Sequence, residues 1–353
     1  MTLYPSPSSF HKSLTSLICL IAFSVGFWPM TGLGHPAGEF YQNAVKAVEN
    51  NNLQQAETLL QQAITDFSSY AEAHHLLGLV QYQRTQDTNK AILALREAVK
   101  LNPNFSQAHY DLGLLLLQQE QFGEAQAAIQ QALTLYPKFW EARLTLAKTF
   151  DLTGSTDKAI SEYETVLTQE PLASEALFHL AYHLMQKQQP ERAQELLTQL
   201  TTHHPQHSEG WYLRGRLFEK NQQFDQAIDA YEQVLQHDQK HSDSHYNLGF
   251  LYQQKDELQK AIEHFQRVTE LQPSDTEAYV NLGVLLVREK QFNKAEDVYQ
   301  KSLELEPDSV EGQFNMGAFY EFHKENLEQA KMHYQKYLAL GGTDNRIQEL
   351  MKQ

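Results

Sequence analysis

Proline recurs at Pro103, Pro137, Pro171 and Pro205, then at Pro273 and Pro307, always 34 residues apart or a double step of 68. Gln239 fills the skipped slot. A second series keeps the same phase: Gly113, Ala147, Ala181, Gly215, Gly249, Gly283 and Gly317. Two residue types in phase over such a length do not arise around a single globular core. A chain of this kind grows by stacking equal units, each buried against its neighbours. The repeats also leave little length for a catalytic domain.

With Ser106 as position one, the unit Ser106 to Phe139 reads as two amphipathic helices. His109, Leu112, Gly113 and Leu116 fall at i, i+3, i+4 and i+7, and Ala125, Ile129 and Ala132 mark one face of the second helix. Gln121-Phe122-Gly123 reads as the inner turn, and Pro137 as the stop. The frame extends over the chain. Position eight is Ala44, Gly78, Gly113, Ala147, Ala181, Gly215, Gly249, Gly283 and Gly317, and position twenty is alanine from Ala56 to Ala330. Position twenty-four is always large, from Leu60 to Tyr334. The small pair predicts close approach of the two helix backbones. One extra residue is needed in the inner turns near Thr85 to Thr88 and Lys324 to Asn326.

These columns resemble the tetratricopeptide repeat family, with small residues at eight and twenty, bulk at twenty-four and proline at thirty-two. The resemblance covers Ala37 to Thr343. It implies an all-α fold, a right-handed α-solenoid of about nine tetratricopeptide helix hairpins over residues 35–343. Ser68, Gln239 and Gly342 stand at the proline position and predict softer helix ends. Gly341-Gly342 signals a helix end. Residues 344–353 then form a C-terminal capping helix, with Thr343 at its N-terminus and Ile347, Leu350 and Met351 on one face.

Residues 1–34 differ from the rest. They carry one formal charge, Lys12, then the apolar run Leu17 to Phe27, then Pro29 and Gly32-Leu33-Gly34. This is the layout of a secretory signal peptide. The alternative is an uncleaved anchor, since Leu14 to Leu33 is uncharged and long enough to span a bilayer. Both predict export, to the periplasm or an equivalent extracytoplasmic compartment, with inner-membrane anchoring in the second case. Membrane contact is expected only through this segment. Cys19, the single cysteine, allows no internal disulfide and no thiolate metal site. The 28 Lys+Arg against 44 Asp+Glu give a formal charge of −16, which argues against a nucleic-acid partner.

The resemblance implies that the first helix of each repeat lines a groove through positions two, five, six, nine, twelve and thirteen. Position six carries Asn247, Asn281 and Asn315 in successive repeats. This resembles the asparagine ladder in the repeat arm of O-linked N-acetylglucosamine transferase, where amides hold an extended peptide by its backbone. An amide both donates and accepts, as a peptide unit does. Position five carries Tyr110, Phe178, Tyr212, Tyr246 and Phe314, either as aromatic anchors for a partner or as inter-repeat packing. Tyr41 shares the column. The acids at position two, such as Glu209 and Glu277, suit the helix dipole. Lys148, Arg216, Lys220 and Arg288 do not match the carboxylate clamp of that family. His179 and His183 have metal spacing, but the sequence fixes no third ligand. No metal or cofactor is expected. No phosphate loop, nucleophile elbow or paired-carboxylate motif is present, so no enzyme is expected.

The expected role is a non-catalytic exported scaffold. It would bind a protein or extended peptide in its groove, in the assembly of envelope, pilus, secretion or photosynthetic machinery. The alternative is a self-assembling structural protein that forms an oligomer or coat.

Overall fold

The computed structural model describes residues 36–352. The expected signal peptide, residues 1–34, lies outside them. The described residues form nineteen helices and no strands, an all-α fold in which consecutive helices pack as pairs within each of two compact units. The first helices of the repeats are α1 (Pro36–Glu49), α3 (Ala71–Thr85), α5 (Ser106–Gln118), α7 (Trp140–Leu152), α9 (Ser174–Gln186), α11 (Ser208–Lys220), α13 (Ser242–Gln254), α15 (Thr276–Arg288) and α17 (Val310–Phe322). The second helices are α2 (Leu53–Asp66), α4 (Thr88–Leu101), α6 (Phe122–Leu135), α8 (Thr156–Gln169), α10 (Pro190–His203), α12 (Phe224–His237), α14 (Leu258–Leu271), α16 (Phe292–Leu305) and α18 (Leu327–Ala339). A short α19 (Asn345–Leu350) follows. The chain falls into two compact units, one ending at His183 and one beginning at Leu184.

Each first helix stops because one residue of the inner turn takes the left-handed conformation. These residues are Asn51, Gln86, Glu120, Gly154, Gln188, Gln222, Asp256, Lys290 and Glu325. The position is fifteen in every repeat, once the extra residues expected near Thr85 and Lys324 are counted. Gly123, read from sequence as part of the turn, is not the residue that needs freedom; Glu120, with φ 58°, makes the reversal.

The small residue at position eight has a different cause from the one expected. A Cβ on Gly113 would meet the Ile129 side chain at 2.5 Å, while the Ala125 carbonyl is 3.4 Å away. On Gly215, Gly249, Gly283 and Gly317 it would strike the rings of Tyr231, Phe265, Tyr299 and Tyr334. The glycine therefore makes room for the large side chain at position twenty-four of its own hairpin. Only at Gly78 is a backbone atom nearest, the Ala91 carbonyl at 2.9 Å. The alanines of position twenty are fully buried in every repeat.

Position four supplies a contact that the apolar pattern did not reveal. His74, His109, Arg143, Trp211, His245 and Gln313 each place a side-chain nitrogen 2.9–3.3 Å from the carbonyl six residues earlier, at position thirty-two. That carbonyl follows a helix end and has no helical partner. The side chains differ, but all carry N–H, which explains part of the histidine content without a metal. His207 and His241, at position thirty-four, act as helix N-caps and accept from Gly210 N and Ser244 N.

Proline is not what ends the second helices. With Ser68 and Gln239 in its place, α2 and α12 still end at position thirty and close with Phe67 N to Ala63 O and Asp238 N to Val234 O. The final helix is capped by Asp344, whose carboxylate accepts from Ile347 N at 2.9 Å, and not by Thr343. Ile347 is fully buried against Ala330 and Tyr334, with Leu350 and Met351 beside it. Among the described residues no helix is long and apolar enough to cross a membrane.

Candidate binding face

In the unit ending at His183 the middle three position-six side chains are closed, while Gln42 and His179 are half-buried. Leu76 is 2% exposed, Asp111 0% and Thr145 8%. Asp111 is held by His75 Nε2 at 2.6 Å and by Gln107 Nε2 at 3.0 Å, with the Phe105 ring 4.8 Å from His75. A buried carboxylate needs such partners to stay desolvated. Tyr110 is buried, bonds Thr145 Oγ1 at 3.2 Å and lies edge-on to Phe139. Burial pushes its phenol well above the ordinary tyrosine value. Phe178 is also buried and lies edge-on to His179. Of the two readings of position five, Tyr110 and Phe178 follow packing.

The second unit buries Leu213 at the same position but leaves the three asparagines partly open. Asn247, Asn281 and Asn315 are all half-buried, on α13, α15 and α17. Asn247 lies against the Tyr212 and Tyr231 phenols. Asn281 faces the Tyr246 phenol, but its buried Nδ2 makes no well-formed hydrogen bond. Tyr212, Tyr246 and Phe314 are half-buried as well. The Tyr212 ring sits 4.9 Å from His241, Tyr246 lies edge-on to Phe250 and Phe265, and Phe314 is 5.5 Å from Tyr337. Burial, then the neighbouring Glu277 carboxylate, raises the Tyr246 phenol. The structure thus sets Asn247 against Tyr212 of the preceding repeat and Asn281 against Tyr246 of the preceding repeat. In repeat eight position five is Val280, which is buried.

One recurring pair was not anticipated. Tyr163 Oη donates to Asp151 at 2.7 Å, Tyr231 Oη to Glu219 at 2.9 Å and Tyr334 Oη to Glu321 at 2.6 Å. The tyrosine is position twenty-four and the acid position twelve of the same repeat. Acids occur at position twelve only in these three repeats; elsewhere it is Val48, Tyr82, Leu117, Met185, Gln253 or Val287. Comparing the two columns would have exposed the pairing.

Among the described residues no group of three His, Cys, Asp or Glu side chains converges around His179 and His183 or elsewhere. His179 stacks on Tyr163 at 5.4 Å, and burial, helped by Lys148, lowers it to about 4. His264 is likewise lowered to about 4 by burial and by His245, whose Nδ1 lies 2.9 Å from its own.

Comparison with known proteins agrees with the repeat frame. Tetratricopeptide repeat models match residues 41–105, 82–138 and 110–174, and again 276–309. The model for the C-terminal ARM domain of tetratricopeptide repeat protein 21 matches residues 152–276. The TPR repeat-containing protein PA4299 of Pseudomonas aeruginosa is 43% identical over 58 residues, 16% of this chain and 23% of that protein. The chain therefore spans about a quarter of that relative. The C-terminal part of a TPR repeat-containing protein from Cytophaga hutchinsonii aligns over 69% of this chain and 99% of its own, with 15% identity and a TM-score of 0.58. YrrB, described as a TPR protein with an unusual peptide-binding site, aligns over 54% of this chain and 97% of its own, with 22% identity and a TM-score of 0.49. The 34-residue columns, the paired helices and the family models agree: the chain belongs to the tetratricopeptide repeat family.

Proposed function

We propose that this protein is a non-catalytic scaffold, exported from the cytoplasm, that holds an extended segment of a partner protein on the first helices of its last repeats. One observation carries the reading. Position six is an incompletely buried asparagine in three successive repeats, whereas Leu76, Asp111, Thr145 and Leu213 at the same position are sealed and Gln42 and His179 stand alone as half-buried members of the column. A half-buried amide suits a ligand that both donates and accepts, as a peptide backbone does. The amides alone are too weak. Each bond contributes about 0.5–1.5 kcal/mol net, and a micromolar complex needs about 8 kcal/mol after association costs. Tyr212, Tyr246 and Phe314 supply the apolar contact. Export rests on the charge-poor, apolar residues 1–34. Assembly of envelope or secretion machinery is the context that such a location suggests.

The test compares the wild type with the triple variant Asn247→Ala, Asn281→Ala and Asn315→Ala, both tagged and expressed in the native host. Proteins captured from the extracytoplasmic fraction are identified by mass spectrometry, and the mature N-terminus is sequenced. At least one wild-type partner should bind the variant tenfold less, with helicity unchanged, and the chain should begin near His35. Unchanged capture removes the groove assignment, and an intact Met1 in a soluble cytosolic pool removes export. Lack of a distinct partner combined with a large assembly in light scattering favours the self-assembling alternative.

A further inference from the structure

Position seven of the first helix is an interior column. It is leucine in repeats two to five, seven and eight and methionine in repeat nine, and all of these side chains are buried. In repeat six it is Arg214. Its guanidinium carbon lies 5.1 Å from the Trp211 ring and 5.3 Å from the Phe218 ring. Nη1 donates at 2.9 Å to Thr201 Oγ1 on α10, a neutral acceptor that itself donates to the Leu197 carbonyl at 2.8 Å. Nε is buried without an acceptor, while Nη2 makes no hydrogen bond and is not buried. Arg143 and Arg267, the other half-buried arginines, meet Glu162 and Glu270 at 2.8 and 2.6 Å. Arg214 meets no carboxylate among the described residues. Burial alone disfavours its charge, with no acid to offset the effect. A cavity of about 480 Å³ opens beside it, lined by Trp211 and Phe218 of α11 and by Asp229, Ala230 and Glu232 of α12. That volume lies in the range of small-molecule sites.

We propose that this cavity is a receptor for a monocarboxylate with an apolar body, its carboxylate on Arg214 and its body against Trp211 and Ala230. The chain displays the completed arrangement in repeat nine. There Arg346 Nη1 donates to both oxygens of Glu321 at 2.7 and 2.9 Å, and the guanidinium carbon lies 5.2 Å from the Phe322 ring. A guanidinium held on aromatic rings keeps its N–H edge free for charge-assisted bonds to a carboxylate. A half-buried cation without a counter-charge favours such a ligand. Asp229 and Glu232 are exposed at the cavity and form no ion pair, so they select against a second negative charge on the ligand. Positions four, seven and eleven share one face of α11, away from the face that carries Tyr212. The cavity is therefore separate from the partner-binding face proposed above and does not depend on it.

3-Phenylpropanoate is the probe, with 3-phenylpropanamide as its uncharged isostere, both added to the full chain and followed by saturation-transfer NMR. The acid should receive at least threefold more saturation than the amide. Arg214→Leu installs the residue that the column carries in six other repeats, and it should bring the two compounds to the same level. Lys138→Gln removes an exposed cation elsewhere, changes the net charge by the same amount, and should leave the difference intact. 2-Phenylsuccinate should be saturated less than 3-phenylpropanoate, and a preference for this dicarboxylate overturns the single-charge assignment. N-acetyl-alanyl-alanyl-phenylalanine and its C-terminal amide separate the two sources of such a ligand. An acid preference in this pair assigns the cavity to a peptide C-terminus; its absence, with the propanoate preference intact, assigns it to a free acid. Equal saturation of 3-phenylpropanoate and its amide by the wild type overturns the receptor whether or not a variant folds. An acid preference that survives in Arg214→Leu overturns it too.

Discussion

At the scale of single residues, backbone conformation explains more than side-chain pattern does. Position fifteen is left-handed in every repeat, yet only Gly154 is a glycine there. The other eight residues pay a steric cost that the hairpin geometry imposes. Gly154, at φ 72° with nothing within 4 Å of where a Cβ would stand, isolates that cost. Gly154→Ala should destabilise by about 1 kcal/mol from backbone strain alone, read as a lower urea midpoint with an unchanged slope; an unchanged midpoint contradicts this account. Sequence reading placed the turn late, at Gln121-Phe122-Gly123, where Phe122 already opens the second helix, and missed its pivot, because a left-handed Glu120 or Gln222 looks like any polar residue. It also missed the partners of position four. There the shared property is an N–H at the right reach, and His74, Arg143, Trp211 and Gln313 share no residue type. The tyrosine–acid pairs were legible in principle, since every acid at position twelve has a tyrosine at position twenty-four, although Tyr299 stands opposite Val287.

At the scale of the element, the hairpin is a glycine under a ring. Gly249 faces Phe265, whose Cε2 would lie 2.7 Å from an added Cβ. Gly249→Leu therefore cannot be accommodated by side-chain movement, and overpacking of this kind costs about 1–3 kcal/mol or more. Because each hairpin touches only its neighbours, the damage should stay local. Hydrogen exchange should show lost protection in α13, α14 and the hairpins that flank them, with α1 to α6 unchanged. A uniform rise along the chain, or none, contradicts local stacking. The hairpin was the most legible feature of the sequence, down to the two extra residues near Thr85 and Lys324. The candidate site was less so. One helical column predicted Tyr110 and Tyr246 alike, but neighbouring repeats bury the first and leave the second half open. That difference depends on what packs across the repeat, which no column of the repeat encodes.

At the scale of the whole molecule, buried neutral groups set the pH range. Burial, with Lys148 and His245 as secondary causes, lowers His179 and His264 from 6.5 to about 4. The unfolded chain therefore binds more protons than the folded one between these values. Stability is full above about pH 6.5 and should fall as pH drops toward 4, by about 3 kcal/mol in all for the more buried His179. Tyrosines act at the other end. Burial and neighbouring carboxylates raise Tyr231, Tyr246 and Tyr334 above 10, so stability should decline as pH rises through that value. Melting temperatures from circular dichroism should form a plateau between about pH 7 and 9.5. His179→Phe should flatten the acid limb, and an acid limb that is unaltered in this variant contradicts the assignment.

The acid at position twelve makes the repeats non-interchangeable even where their lengths match. A copy of residues 208–241 set before the C-terminal helix would bring a carboxylate to Arg346. A copy of residues 106–139 would bring Leu117 and leave the guanidinium without a counter-charge. Each repeat thus carries an address as well as a shape, and shuffling them would rewrite the order in which the array recognises its own end.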